Sequence, residues 1–381
     1  MTPTATWSFP TAIRFGAGRI GELAEACAAA GIARPLLVTD RGLADAPITA
    51  RALDVLEAAD MGRALFADID PNPKGAHVDA GVEAFRAGGH DGVVAFGGGS
   101  GLDAAKMVAF MAGQSRPIWD FEDIGDWWTR ADADAIAPNI AVPTTAGTGS
   151  EVGRASVITN EEIGEKKIIF HPKVLPSTVI ADPELTVGMP KFITAGTGMD
   201  AFAHCLEAYC SPHYHPMAQG IALEGMRLVK ENLPRAYADG EDLEARAEMM
   251  SAAMMGATAF QKGLGVIHAI SHPIGANFDT HHGATNAVVM PYALAFNRAA
   301  IEERIERAAA YLAIGGGFDG FVGFVREMNA ALGLPERLSG LGVTAADPAG
   351  LAAQAVRDPS CGGNPIALNE DNLAALIAEC L

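Results

Sequence analysis

The sequence predicts an α/β first half joined to an all-helical second half. Three observations carry this prediction. Short β-rich runs alternate with helical patterns as far as about residue 182, strand-like runs then stop, and long Ala/Leu/Met patterns of helical period fill the rest. Strands alternating with helices imply a parallel sheet with crossover helices. The turn-rich stretch DPELTVGMP, residues 182–190, places the boundary and gives domains of 1–184 and 185–381.

Taken in order, residues 11–15 read as a strand, 18–30 as an alanine-rich helix and 35–40 (PLLVTD) as a strand. Gly42 and Pro47 punctuate the next connection, and 51–59 is again helical. A strand at 64–69, a helix at 77–87, a strand at 92–96 and a helix at 102–111 follow, with strands at 139–142 and 178–181 completing the set. The acidic, weakly periodic stretch 120–138 reads as an insertion in which Trp127 and Trp128 pack beside Trp119. Helices are expected in the second half at 195–209, 217–232, 243–260, 301–314, 320–332 and 372–380.

A net charge of −19 over 381 residues repels phosphate backbones and anionic lipid, which excludes nucleic-acid and membrane-surface roles. Hydrophobic residues make up 49% of the chain, enough for large buried cores. The five cysteines (Cys27, Cys205, Cys210, Cys361, Cys380) are scattered, with no C-x-x-C pair, so a reducing compartment is expected and a disulfide framework is not. Residues 1–10 lack a basic flank and an apolar run, and the apolar stretch 249–260 falls far short of the ~20 residues that span a bilayer. The expectation is a soluble cytoplasmic protein.

Two glycine signatures compete for a phosphate. Gly16, Gly18 and Gly21 fit G-x-G-x-x-G between a strand and a helix, with Asp40 ~20 residues further on at a strand end. The second, GGGSGLDAAK (97–106), follows an apolar strand and opens a helix; Gly97, Gly98, Gly99 and Ser100 leave backbone N–H groups unshielded at a helix N-terminus. A third loop, PTTAGTGSE (143–151), also follows a strand and sets hydroxyls beside glycines. Two such loops at strand ends describe a cofactor crevice, so Gly97–Ser100 is taken for the pyrophosphate and Gly16–Gly21 for architecture.

The histidines point to a metal. Asp200 and His204 stand at i, i+4 on one helix face, and His268 and His272 repeat the spacing in HAISHPIG, where Pro273 is expected to end the helix. His281 and His282 follow shortly. Three imidazoles and a carboxylate from this set fill a divalent-metal site. His213 and His215 are read as a Pro-flanked surface loop, and His77, His90 and His171 are isolated.

With these residues assembled, the chain resembles the iron-containing (group III) alcohol dehydrogenases along essentially its whole length. The resemblance is carried by VTD (38–40), PNP (71–73), GGGSGLDAAK (97–106), PTTAGTGSE (143–151), GMDAFAHCLEAY (198–209), GVIHAISHPIGA (265–276), HHGATNAVVMP (281–291) and, more loosely, DPSCGGNP (358–365). It implies a dehydroquinate-synthase-like fold with an NAD cofactor and a metal in the cleft between the domains. The implied metal ligands are Asp200, His204, His268 and His282, holding Fe(2+) or Zn(2+), with His272 beside the nicotinamide as the proton-handling catalytic residue. The implied cofactor residues are Asp40, Asn72 and the Gly97–Ser100 turn (Gly97, Gly98, Gly99, Ser100) with Asp103, then Thr144, Thr145, Thr148 and Ser150, and Lys166. Phe260, Leu264, Cys361 and the Trp127–Trp128 segment are candidates for the substrate pocket. The implied chemistry is hydride transfer between an alcohol and NAD, in a homodimer. A lyase resembling dehydroquinate synthase, or a silent metal- or nucleotide-binding module, are the alternatives.

Overall fold

The computed structural model describes residues 7–9 and 11–381, so residues 1–6 and 10 of the N-terminal stretch lie outside the described residues. The described residues form two compact units: an α/β unit over residues 11–145 and Gly149–Val187, and a helical unit over Gly188–Leu381 that also takes in residues 7–9 and Ala146–Thr148.

The α/β unit holds strands β1 (Ala12–Phe15), β2 (Pro35–Val38), β3 (Leu65–Phe66), β4 (Gly92–Gly97), β5 (Asn139–Pro143), β6 (Ala155–Asn160), β7 (Glu165–Phe170) and β8 (Thr178–Ala181). Its helices are α1 (Leu23–Ala29), α2 (Pro47–Ala58), α3 (Gly75–Ala87) and α4 (Gly99–Met111). Six strands form one sheet in the order β1-β8-β5-β4-β2-β3, and every pairing in it is parallel. β4 is buried at every position, as a parallel strand covered on both faces must be. Val94 and Phe96 pack with Leu23, Cys27, Leu53 and Leu56 of α1 and α2. A second core joins Val78 and Val82 of α3 to Met107 and Phe110 of α4, with Phe121, Ile158 and Ile169.

The antiparallel β6–β7 hairpin is absent from the sequence expectation. Its lysines, Lys166 and Lys167, and its polar EEIGE turn mask the alternation that marks β6. The strand expected at 64–69 shortens to β3, and the 18–30 helix opens with a 3-10 turn at Arg19–Glu22. Within 120–138 only short 3-10 turns form, and Trp128 packs edge-on against Phe170 and His171.

The helical unit consists of α5 (Lys191–Cys210), α6 (Pro216–Ala238), α7 (Leu243–Ala259), α8 (Val266–Phe278), α9 (His282–Tyr311), α10 (Gly317–Ala331), α11 (Pro348–Ala355) and α12 (Glu370–Cys380). Two expectations fail here. Pro273 lies inside α8, because proline forfeits only the one bond to the carbonyl four residues back while the helix is buried along most of its length. Likewise α9 starts at His282 and runs through Pro291, so its first half was hidden by the polar and glycine-containing HHGATN.

In the α/β unit, α4 is tied to the following loop and hairpin by buried charge. Asp103 accepts from Ser150 Oγ and from the Val157 N–H at 2.9 Å. Lys106 Nζ, 3.3 Å from Asp103, donates to the carbonyls of Ser150 (3.0 Å) and Ala155 (2.5 Å). Glu151 is buried beside them, and burial pushes its carboxyl up to about 7. A carboxyl raised in the folded state above its ordinary 4.5 stabilises the fold fully below that value, and this contribution is lost as pH rises through about 7. Glu151→Gln removes the titration, so its Tm is expected to exceed the wild-type Tm at pH 8 and to converge on it by pH 5. A difference in Tm that does not shrink on acidification would contradict this account.

Candidate active site

In the helical unit, α5 presents Asp200 and His204 one turn apart, α8 contributes His268, and α9 begins on His282. The Nε2 atoms of His204, His268 and His282 lie 3.8, 3.7 and 3.5 Å from Asp200 Oδ1. The His204 and His268 rings stack at 4.6 Å. A close helix approach makes this possible: a Cβ on Gly283 would stand 2.1 Å from the Gly196 carbonyl, so only glycine lets α9 approach α5 here. His281, the other half of the pair, is turned away. Its Nδ1 accepts the Ala284 N–H at 3.2 Å and caps α9.

Around these four side chains stands a set of polar partners. Glu207, on the same face of α5, accepts from the Ile267 N–H at 2.7 Å and pairs with His268 Nδ1 at 2.6 Å. It thereby binds the first turn of α8, where a carboxylate also meets the positive end of the helix, and turns His268 Nε2 toward Asp200. Asn286 Nδ2 lies 2.8 Å from Asp200 Oδ1 and 3.2 Å from Nε2 of both His268 and His282. His272 Nδ1 meets Asp358 Oδ2 at 2.7 Å, and its ring stacks on His282 at 5.4 Å. Burial works to raise the Asp200 carboxyl, but His204, His282 and His268 together hold it well below the carboxylate range. Burial lowers His204 to about 4. For His268 burial is outweighed by Glu207 and Asp200, which carry it up to about 9.

The cluster fits a divalent cation. The Asn286 amide nitrogen faces Asp200 Oδ1 and the Nε2 atoms of His268 and His282, and the Asn286 oxygen, buried, has no partner. A cation would be met here by the Asp200 carboxylate and the three neutral imidazoles. Three imidazoles with one carboxylate suit iron and zinc.

In the α/β unit, strand order reverses between β2 and β4. β2 proceeds outward to β3, and the chain then returns through α3 to β4 on the other side of β2. Ligands of open α/β sheets bind outside the strand ends at such a point. Asp40 follows β2 there, and Gly97 (φ 141°) ends β4; a Cβ on Gly97 would lie 3.5 Å from Asp40 Oδ2. Gly98, Gly99 and Ser100 open α4, and Gly98 presses against Thr145. Thr144 donates its N–H to the Gly97 carbonyl at 2.9 Å. Asn72 has φ 54°, a left-handed conformation that asparagine tolerates, and accepts from Lys166 Nζ at 2.7 Å. Lys167 instead pairs with Glu122 and Glu165. The structure gives the Asp103 and Ser150 side chains internal partners, each other among them. Thr148 belongs with the helical unit, not with Thr144 and Thr145.

His215 corrects the surface-loop reading: it is buried, caps α6 through the Ala218 N–H and stacks on Trp7 at 4.8 Å, whereas His213 in the same loop is exposed as expected. Phe260 lies 5.3 Å from the His204 ring. The Cys361 thiol donates to the Ala355 carbonyl, and burial pushes it up to about 12. Glu207, Asn286 and Asp358 are absent from the sequence reading. Glu207 had a signal, since it continues the Asp200/His204 face at i+3 from His204; the other two are set by tertiary contact.

A parallel sheet with bare backbone donors at its reversal point and a helical unit with a cation site meet the requirements of a metal- and dinucleotide-dependent dehydrogenase. Residues 10–183 match the iron-containing alcohol dehydrogenase family, and residues 194–381 match the C-terminal part of the Fe-containing alcohol dehydrogenase family. The chain belongs to the iron-containing alcohol dehydrogenases. It is 42% identical to 4-hydroxybutyrate dehydrogenase of Cupriavidus necator, over 88% of each chain. Among solved structures, 1,3-propanediol oxidoreductase superposes with a TM-score of 0.94 at 33% identity, covering 100% of both chains. Sulfoacetaldehyde reductase from Bifidobacterium kashiwanohense in complex with NAD+ gives 0.89 at 31% identity, covering 99% of both.

His268→Ala is expected to leave metal content far below one ion per chain by elemental analysis, with the fold retained. Full metal occupancy in that variant would refute the ligand set.

Proposed function

We propose that the protein oxidises a small primary alcohol bearing a second polar group, with NAD as hydride acceptor, and reduces the corresponding aldehyde in reverse. The observation that carries this reading is the buried meeting of three imidazoles with Asp200. Asp200, His204, His268 and His282 hold the ion, taken as Fe(2+) in keeping with the family, with Zn(2+) the alternative. A bound divalent ion supplies Lewis-acid polarisation, and bound NAD supplies the hydride acceptor. The chain's own residues orient and protect. Gly97, Gly98, Gly99 and Ser100 offer backbone N–H groups to the pyrophosphate, and Asp40 accepts from the ribose hydroxyls. Asn72 and Lys166, held together, face the cofactor with Thr144, Thr145 and Thr148, while Asp103 and Ser150 shape the loop from behind. His272 handles the alcohol proton through Nε2.

The second polar group is inferred from the relatives, which are named for a hydroxy acid, a diol and a sulfonated aldehyde. Among the described residues no helix is long and apolar enough to cross a membrane, and the five cysteines are free, which supports the cytoplasmic placement. A homodimer is proposed on the same family footing. NADH formation measured with 4-hydroxybutyrate, 1,3-propanediol, ethanol and 1-butanol tests the substrate class. One well-placed polar contact is worth about tenfold, so kcat/KM for a polar-tailed alcohol is expected to exceed that for ethanol by at least about that factor. Ethanol or butanol as the best substrate would reject the polar tail, and no NADH with any alcohol would reject the reading itself.

Cofactor choice follows from the charges around Asp40. A 2′-phosphate at the ribose would meet the Asp40 carboxylate, and Arg41, the nearest cation in sequence, is unavailable to offset it. Its guanidinium is committed to Asp68 and, at 2.5 Å, to Asp70. NAD is therefore expected over NADP, and Asp40→Gly is expected to narrow or reverse the gap. kcat/KM for both cofactors in wild type and variant decides the matter; a wild type that favours NADP would overturn the assignment.

A further inference from the structure

Residues 358–365, DPSCGGNP, grip α8 at two heights. Asn364 Oδ1 accepts the Val266 N–H at 3.1 Å, and the Asn364 and Asn297 amides bond reciprocally at 2.9 and 3.0 Å. One and a half turns further along, Asp358 meets the His272 ring. Their side chains are only 9% and 10% exposed. The two Asp358 oxygens have separate tasks: Oδ1 accepts the Ser360 N–H at 2.8 Å and starts the turn Pro359–Gly363, and Oδ2 meets His272 Nδ1 at 2.7 Å.

We propose that Asp358 is a positioning residue that locks His272 as its Nδ1–H tautomer and so makes Nε2 the proton-accepting atom. The proposal rests on the reading of His272 as the group that handles the alcohol proton. Burial would raise the Asp358 carboxyl, but His272 and the Ser360 bonds hold it below the ordinary range, so it is ionised. An ionised carboxylate offers no proton, and the short contact therefore has Nδ1–H as donor. In a neutral imidazole the proton on Nδ1 leaves the lone pair on Nε2. Asp358 Oδ1 is held by the Ser360 N–H, which leaves Oδ2 directed at Nδ1, and the His272 ring lies nearly parallel to that of His282, at 13°.

The isosteric variant Asp358→Asn separates tautomer control from mere support. Its Oδ1 still accepts from Ser360, as asparagine does at a cap. Its amide nitrogen then faces His272 and donates to Nδ1, which moves the ring proton to Nε2. Histidine 15N NMR on the zinc-loaded protein reads the tautomer directly: wild type should show Nδ1–H at His272 and the variant Nε2–H. Metal content should be unchanged, and kcat for alcohol oxidation should fall by about tenfold or more, with KM moving far less. In a His272→Ala background Asp358→Asn should cost nothing further, because it acts through the ring.

An unchanged His272 tautomer in Asp358→Asn, or an equal further loss of kcat in the His272→Ala background, overturns the positioning role while leaving His272 in place. Undiminished kcat in His272→Ala itself overturns the proton-handling reading, and this proposal with it. The two failures are thus distinct.

Discussion

Asp200 carries a carboxylate into the middle of a helical core, where it is 2% exposed. Removing a charge from water costs several kcal/mol unless partners replace the lost hydration, and the geometry of the helical unit follows from that requirement. α5 supplies the charge, α8 and α9 bring imidazoles to it, and Asn286 adds an N–H. The partners reach Asp200 only because Gly196 and Gly283 let two backbones nearly touch. Glu207 then fixes α8 in rotation through its first-turn N–H and His268 Nδ1. A larger side chain at position 283 would press on the Gly196 carbonyl and, at 2.9 Å, on Cβ of Asp200 itself.

The α/β unit is organised differently, around backbone. Glycines leave the N–H groups at the start of α4 without side-chain cover, and the side chains nearby serve the loop. Asp103 and Lys106 hold the Ser150 region and the β6–β7 hairpin from within. The hairpin in turn carries Lys166 to Asn72, so two residues far apart in sequence meet at one place. Net charge does not predict this. In a chain of −19 the cations are few, and most of those on the surface are paired with carboxylates, as Arg41 is with Asp68 and Asp70.

Much of this was legible in the sequence, for stated reasons. β4 and α4 were readable because an apolar run ends in three glycines, and the i, i+4 pairs Asp200/His204 and His268/His272 needed only helical period. What escaped was information held by tertiary contact. Spacing could not separate His281 from His282, since one caps α9 and the other reaches Asp200, a matter of where the helix starts. Lys166 and Lys167 point to opposite faces of β7, and the face toward Asn72 is defined by the fold. Pro273 misled because local propensity counts the missing N–H but not the burial that holds α8 together. Asp358 lies 86 residues from its partner, beyond any local pattern.

Counting hydrogens against acceptors separates the supporting parts of the molecule from the reactive part. Lys262, buried, places three N–H groups on the carbonyls of Ala208, Tyr209 and Ser211 at the end of α5, at 2.8, 3.0 and 2.6 Å. Arg304 adds its guanidinium to the same turn, so two cations close the negative end of the helix. Lys106 likewise meets three acceptors with three hydrogens. These clusters are complete within the protein, and their task is to hold α5 and α4 still. Asn286 differs: its oxygen is left without a donor, while Nδ2 faces Asp200 Oδ1 and two ring nitrogens. Buried polar atoms without a partner occur elsewhere too, the Asn139 and Asn329 oxygens among them, but Asn286 Oδ1 and His204 Nδ1 belong to the Asp200 cluster, whose donor set fits a cation.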